Sequence, residues 1–251
     1  MNLSTITAFL DLYLRIREIG DWPGAMNGLQ VENGGTVTRI GAAVDSTLPV
    51  IEKAVAENVD LLLVHHGLFW SGPQAVTGAN YKKLKLALDR NLAVYSAHLP
   101  LDLHPESGNN AVFARALGFG DKTTPFFLEK GQLIGLRVET EIARTELLAR
   151  LTSVLGSTPR LAPGGPEIIR AIGIVTGGAG AEIARAAAEG VDTFITGEGP
   201  HWSHGAAEEL CVNLIYGGHY ATETFGVKAL AARISEEFSV PWMFIDHPTG
   251  L

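Results

Sequence analysis

A strand–helix–strand unit is written twice in this chain, and that repeat limits the folds open to it. Ile40 to Gly67 lies over Ile172 to Gly199 without a gap. Ile40-Gly41 falls on Ile172-Gly173, Ile51 on Ile183, and Ala54 on Ala186. Ala56-Glu57 falls on Ala188-Glu189, Val59-Asp60 on Val191-Asp192, and Gly67 on Gly199. A second register follows: Ala97-His98-Leu99-Pro100-Leu101-Asp102 over Gly218-His219-Tyr220-Ala221-Thr222-Glu223. Each copy there reads as a strand followed by His-x-x-x-acid. Two matches in the same order imply two similar α/β halves.

The remaining pattern agrees. Apolar residues at helical spacing predict helices over residues 4–19, 47–58, 82–90, 109–117, 144–155, 181–189 and 224–238, with another ending at Glu208-Glu209. Strands are expected over 39–44, 60–64, 92–96, 131–138, 171–175, 193–196, 212–216 and 241–245. Asn27-Gly28-Leu29-Gln30-Val31 reads as a turn into a strand, and residues 159–166 as a loop rich in proline and glycine. Alternating strands and helices predict an α/β fold with largely parallel or mixed sheets. The lobes divide as residues 1–124 and 125–251, with 123–166 as the join.

The best-defined strand is Asp60-Leu61-Leu62-Leu63-Val64, which runs into His65-His66-Gly67. Four consecutive apolar residues suit a strand covered on both faces. Ligands of such sheets lie at the carboxyl ends of strands. Two readings of the histidines stand side by side. One imidazole caps the strand and the other is solvated, or both converge past the strand to bind a metal, as imidazole does more often than any other side chain.

Further candidates sit at equivalent places: His98, Asp102, Glu198, His219 and Glu223. His219 and Glu223, four apart, share one face if a helix begins at Tyr220. Imidazoles and carboxylates without thiolates suit zinc, iron, manganese or a similar ion. Two bridging carboxylates with three or four histidines hold two metals about 3.5 to 4 Å apart. The blander readings are a buried His98 bonded to backbone, an Asp102 that caps a turn, and a Glu198 that is solvated or orients a neighbour. His104 and His247 read as surface residues, and the spacing of His201 and His204 is not diagnostic. Gly177-Gly178-Ala179-Gly180 matches neither phosphate-loop spacing and reads as a tight turn.

Composition removes other classes. The 251 residues are 46% hydrophobic and 18% charged, which suits a compact protein with an ample core. A net charge of −8 leaves no basic excess to neutralise phosphates, so nucleic acid is not an expected partner. Cys211 is the only cysteine, which excludes an intrachain disulfide, and it reads as a small core residue. Asp11, Arg15, Arg17 and Glu18 interrupt any signal-peptide core, and no run is long enough to span a membrane, so a cytoplasmic protein is expected.

Taken together, Asn27-Gly28-Leu29-Gln30-Val31, Val64-His65-His66-Gly67, Ala97-His98-Leu99-Pro100-Leu101-Asp102, Thr196-Gly197-Glu198 and Gly218-His219-Tyr220-Ala221-Thr222-Glu223 resemble the Nif-three-like dinuclear metal-centre family. Many of its members carry the label GTP cyclohydrolase I type 2. The resemblance runs from about Leu3 to Pro248. It implies two intertwined α/β lobes, a site for two divalent metal ions, and a ring-shaped homohexamer. Carried over by motif, the ligands are His65, His66, Asp102, His219 and Glu223, with Asp102 and Glu223 bridging and His98 beside the metals. The implied activity is a metal-dependent hydrolase acting on a small molecule, GTP under the family label, with His98 or Glu198 moving the proton. The rival from another class is a metal-binding scaffold that acts through protein partners. A two-metal hydrolase with a different substrate is the third reading.

Overall fold

The computed structural model describes residues 1–70 and 74–250. The chain forms two compact units. The first comprises Met1–Ser107 and Gly226–His247, and the second Gly108–Phe225 with the last residues.

The first unit opens with α1 (Leu3–Tyr13), capped by the Asn2 side chain, which accepts from the Ser4 backbone N–H at 2.9 Å. This helix stops well before Ile19, the end expected from apolar spacing. Arg15 takes a positive φ of 54°, and short turns carry the chain on through residue 19. Then come β1 (Gly28–Val31), β2 (Ile40–Asp45), α2 (Leu48–Ala56), β3 (Leu61–His66), α3 (Gly78–Asp89), β4 (Ala93–Ser96) and the single turn α4 (Leu99–Asp102).

The second unit holds α5 (Asn109–Ala116), β5 (Thr123–Glu129), β6 (Gln132–Ala143), α6 (Arg144–Leu155), β7 (Arg160–Pro163) and β8 (Ile168–Ile174). It continues with α7 (Ile183–Ala188), β9 (Thr193–Thr196), α8 (Trp202–Glu209), β10 (Asn213–Tyr216) and α9 (His219–Phe238). Residues of α9 through Phe225 belong to this unit, and the rest, with β11 (Trp242–Phe244), return to the first.

The first sheet has the order β1-β4-β3-β2-β11, parallel throughout except for β1. The second has the order β5-β6-β8-β9-β10-β7. Its β8, β9 and β10 are parallel, and the other pairings are antiparallel. The segment 123–166, a join in the sequence reading, therefore supplies three strands and a helix to the second unit. Both prolines within strands, Pro125 and Pro163, lie on the edge strands β5 and β7, where a missing N–H costs no ladder bond.

Leu61, Leu62, Leu63 and Val64 are buried, as a central parallel strand requires. Each contributes about 1.5–3 kcal/mol by leaving water. The second unit buries Val138, Ile172, Ile174, Ile195 and Ile215 on one side of its sheet, and Phe126, Phe127 and Phe194 in a separate cluster.

The repeat is visible in hydrogen bonds. Asp60 Oδ2 accepts from the N–H of Thr38 and Arg39 at 2.6 and 3.0 Å. Asp192 Oδ2 accepts from the equivalent Arg170 and Ala171 at 2.7 and 3.2 Å. One carboxylate thus ties the start of the first strand to the start of the second in each copy. Cys211 departs from expectation: it is exposed, at a positive φ of 55° in the turn between α8 and β10, rather than inside a strand. Among the described residues, no helix is long and apolar enough to cross a membrane.

Candidate metal centre

In the first unit, β3 ends in His65 and His66, β4 runs through Ala97 into His98, and Asp102 closes the α4 turn. Neighbouring strands are parallel, so these ends share one edge of the sheet. Both histidines of the pair are still on the strand, as its last two residues, and not in a loop beyond it. Their ring centroids are nonetheless only 4.8 Å apart, and His98 stands 4.8 Å from His65 and 5.8 Å from His66. A ligand atom from each of His65, His66 and His98 lies within 4.8 Å of the other two.

Each imidazole is held by its Nδ1. The partner of His65 is the Ala97 carbonyl at 2.9 Å, that of His66 is Asp45 Oδ1 at 2.9 Å, and that of His98 is Asp21 Oδ1 at 2.8 Å. A carbonyl or an ionised carboxylate only accepts, so Nδ1 carries a hydrogen, and in the neutral ring Nε2 is the nitrogen with the lone pair. Metal-bound histidines are oriented in this way. His65 Nε2 lies 3.6 Å from Asp102 Oδ2. Burial alone would raise the pKa of Asp21, but the hydrogen bond and charge of His98, with the bonds from Asn27 and Trp22, hold it below the ordinary aspartate value.

Gly67 has a clear reason. A Cβ there would lie 2.3 Å from Gln30 Nε2 and 2.6 Å from Ser96 Oγ. Gln30 accepts from the Leu68 N–H at 2.7 Å and donates to the Met26 carbonyl at 2.6 Å, so it fastens the chain as it leaves β3. Beyond it, the half-exposed Trp70 meets His98 edge-on at 4.5 Å and 89°.

The second unit has its own cluster. His219 opens α9 and places Glu223 one turn on, with His219 Nε2 3.1 Å from Glu223 Oε2. Glu198, after β9, accepts from His219 Nδ1 at 2.8 Å. Of the readings open for Glu198, the geometry supports orientation of His219. Burial lowers the pKa of His219, but bonds and charge from Glu223 and Glu198 outweigh it and push it up to about 9. Such a pocket attracts cations. The run Gly177-Gly178-Ala179-Gly180 is more than a turn. Gly177, at φ +73°, passes so close to Glu223 that a Cβ would sit 2.2 Å from its Oε1. A Cβ on Gly178 would lie 3.6 Å from the His219 ring.

The other histidines are elsewhere. His204 faces Glu208 along the exposed side of α8, and His201 is exposed. His247 Nδ1 lies 3.3 Å from Lys53 Nζ. His104 is half-buried, not a surface residue: its ring packs 4.0 Å from that of Tyr13, and its Nδ1 accepts from the N–H groups of Glu106 and Ser107. Asp21 and Asp45 escaped sequence reading. The available signal for Asp45 was its place at the carboxyl end of the strand beside β3.

Comparison with known proteins decides the family. The family described as Duf34/NIF3 (NGG1p interacting factor 3) matches residues 1–250. The chain belongs to the DUF34/NIF3 family. A relative in Deinococcus radiodurans, named GTP cyclohydrolase 1 type 2 homolog, is 43% identical over 98% of this chain and 93% of its own. One of the same name in Pyrococcus abyssi is 42% identical over the whole of both chains. The crystal structure of TTHA1606 from Thermus thermophilus superposes with a TM-score of 0.92 at 40% identity, covering both chains fully. Reduced HcgD from Methanocaldococcus jannaschii gives 0.87 at 26% identity, over 98% of each chain. Within the family fold, the chain carries clusters of histidine and carboxylate suited to a metal ion.

Proposed function

We propose that this member of the DUF34/NIF3 family is a hydrolase with a dinuclear metal centre. His65, His66, Asp102, His219 and Glu223 would hold its ions, with Asp102 and Glu223 as the carboxylates able to serve both. The observation that carries the reading is the shared orientation of the imidazoles, each bonded through Nδ1, which leaves Nε2 as the nitrogen a metal would take, in place of a proton at His219. The donor set is all nitrogen and oxygen, which fits zinc, iron, manganese or a similar divalent ion. Bound there, such ions supply Lewis acidity and lower the pKa of water from 15.7 to about 7.

The chain's own residues have separate tasks. Asp45 and Glu198 orient His66 and His219. Ala97 does the same for His65 through its carbonyl. His98 moves the proton of the attacking water, since its Nε2 is directed as in the ligands while its motif leaves it beside the centre. Glu198 is committed to His219 and is the weaker candidate for that task. GTP, opened at its imidazole ring with release of formate, is the substrate indicated by the names of the relatives. A homohexamer in the cytoplasm is the expected form.

Elemental analysis for metal per chain, coupled to a GTP assay for formate with that metal restored, tests this. Two metals and formate are the expected result. Two metals without formate would discard the substrate and call for a phosphoester and amide screen. Inactivity throughout that screen would favour the scaffold, and a chain that holds no metal would overturn the centre itself.

A further inference from the structure

We propose that Asp21 is a positioning residue for His98, holding its imidazole as the Nδ1–H tautomer with Nε2 presented as a lone pair. The inference rests on the reading of His98 as the proton carrier, and it adds a residue that neither the repeat nor the histidine motifs contain.

The argument begins with the carboxylate. Asp21 Oδ1 accepts from the Trp22 N–H at 2.7 Å and from His98 Nδ1 at 2.8 Å. Its Oδ2 accepts from Asn27 Nδ2 at 2.8 Å and from the Leu99 N–H at 3.0 Å. A carboxylate has about four acceptor sites, and four donors are in place. The side chain is only 5% exposed, so water cannot easily replace any of them. Asn27 completes the grip, because its Oδ1 accepts from the His98 backbone N–H at 2.8 Å. Backbone and ring of His98 are thus fixed by the same acid–amide pair, which gives Asn27 in Asn27-Gly28-Leu29-Gln30-Val31 its purpose. Trp70 and His65 flank the ring and limit its rotation.

The two halves reach this arrangement by different routes. The repeat sets His98 over His219, and both are held through Nδ1. The acid on His219 is Glu198, which lies inside the repeated unit, whereas Asp21 precedes it. The first half therefore recruits an acid from outside the repeat for a histidine that a bland reading would leave bonded to backbone. If Asp21 served only to pin its loop to α4, the bonds to Trp22, Asn27 and Leu99 would suffice.

Substitution of Asn for Asp21 makes the tautomer the readout. An amide nitrogen at the Oδ1 position would give up the bond from the Trp22 N–H, donate to Nδ1 and force the hydrogen to Nε2. At the Oδ2 position it would oppose two donors. Solid-state ¹⁵N spectra of the zinc-loaded, histidine-labelled full chain report the tautomer, and His98 is assigned by its loss in His98→Gln. The parent is expected to show protonated Nδ1 and unprotonated Nε2 at His98. Asp21→Asn should move His98 toward Nε2–H, leave His66 and His219 unchanged, and keep the parent's metal content. In enzymes where an Asp orients the catalytic histidine, the same change cuts kcat by about 10⁴-fold. A comparable loss in kcat is expected here on any substrate the parent turns over. A parent His98 in the Nε2–H form, or a tautomer unchanged in Asp21→Asn, would overturn the proposal. If Asp21→Asn does not fold, the parent spectrum still decides against or for the tautomer. Absence of turnover in the parent counts against the hydrolase reading and leaves the spectra interpretable.

Discussion

Gly177 and Glu223 approach so closely that a methyl group on the glycine would sit 2.2 Å from the carboxylate Oε1. Glu223 is 3% exposed and has little space to withdraw. Gly177→Ala also places a side chain at φ +73°, a left-handed conformation that costs about 1–2 kcal/mol outside glycine. The expected result is a folded chain, less stable by more than that amount because the buried carboxylate must also shift, whose metal affinity falls because Glu223 is displaced. Gly205→Ala is the contrast. That glycine lies within α8, nothing is within 4 Å of its Cβ position, and stability should rise by about 0.5–1 kcal/mol. Urea unfolding and metal analysis of both variants check the pair. Unchanged metal affinity in Gly177→Ala would remove the cradle role from the glycine run.

Asp45 and Glu198 touch ring nitrogens, so their effect on metal passes through His66 and His219. Removing the charge from such an orienting carboxylate typically costs 10–100-fold in metal affinity. Asp45→Asn and Glu198→Gln are each expected to fall in that range in competition with a chelating indicator. Affinities equal to the parent's would mean that the two carboxylates do not serve the centre.

Glu223 and His98 separate the ligand role from the proton-carrier role. Glu223→Gln should remove most bound metal, because a neutral amide cannot bridge two cations as a carboxylate does. His98→Ala should keep most of the metal and suppress hydrolysis. Elemental analysis of the two variants checks this. Full occupancy in Glu223→Gln would refute bridging, and loss of both metals in His98→Ala would make His98 a ligand.

Local pattern carried much of this reading. Leu61 to Val64 suits a buried strand from sequence alone, and the strand-end rule then places His65, His66, His98 and His219 at sheet edges. Asp60 and Asp192 matched in sequence and proved to make the same two bonds in each copy. What escaped was long-range. Asp21 is 77 positions from His98, and nothing near it in sequence announces the pairing. Strand β5 was missed because its burial is uneven and a proline interrupts it, while β7 is an edge strand of four residues ending in proline. The glycine run read as a turn because its second purpose, room for Glu223, depends on a helix more than forty positions on.

Tyr95 gives a prediction in pH. Its hydroxyl is buried beneath α1 and donates to Asp11 Oδ1 at 2.8 Å. Burial, then the Asp11 charge and the hydrogen bond, raise its pKa above the ordinary tyrosine value of 10.0. The folded chain therefore keeps this proton at pH values where the unfolded chain releases it. A raised folded-state pKa contributes stability that is fully present below the unfolded value and is lost as pH rises toward the folded one. At pH 7, Tyr95→Phe should cost about 1.5–3 kcal/mol, the usual range for a hydrogen bond to a charged group. Above about pH 10 the parent loses stability through this tyrosine and the variant does not, so the gap narrows. Tyr13 and Tyr216, whose pKa values are also raised, are common to both proteins and cancel in the difference. Urea midpoints of parent and variant at pH 7, 9, 10 and 11 provide the comparison. A gap that stays constant or widens across that range would show that the Tyr95 proton is not held by the fold.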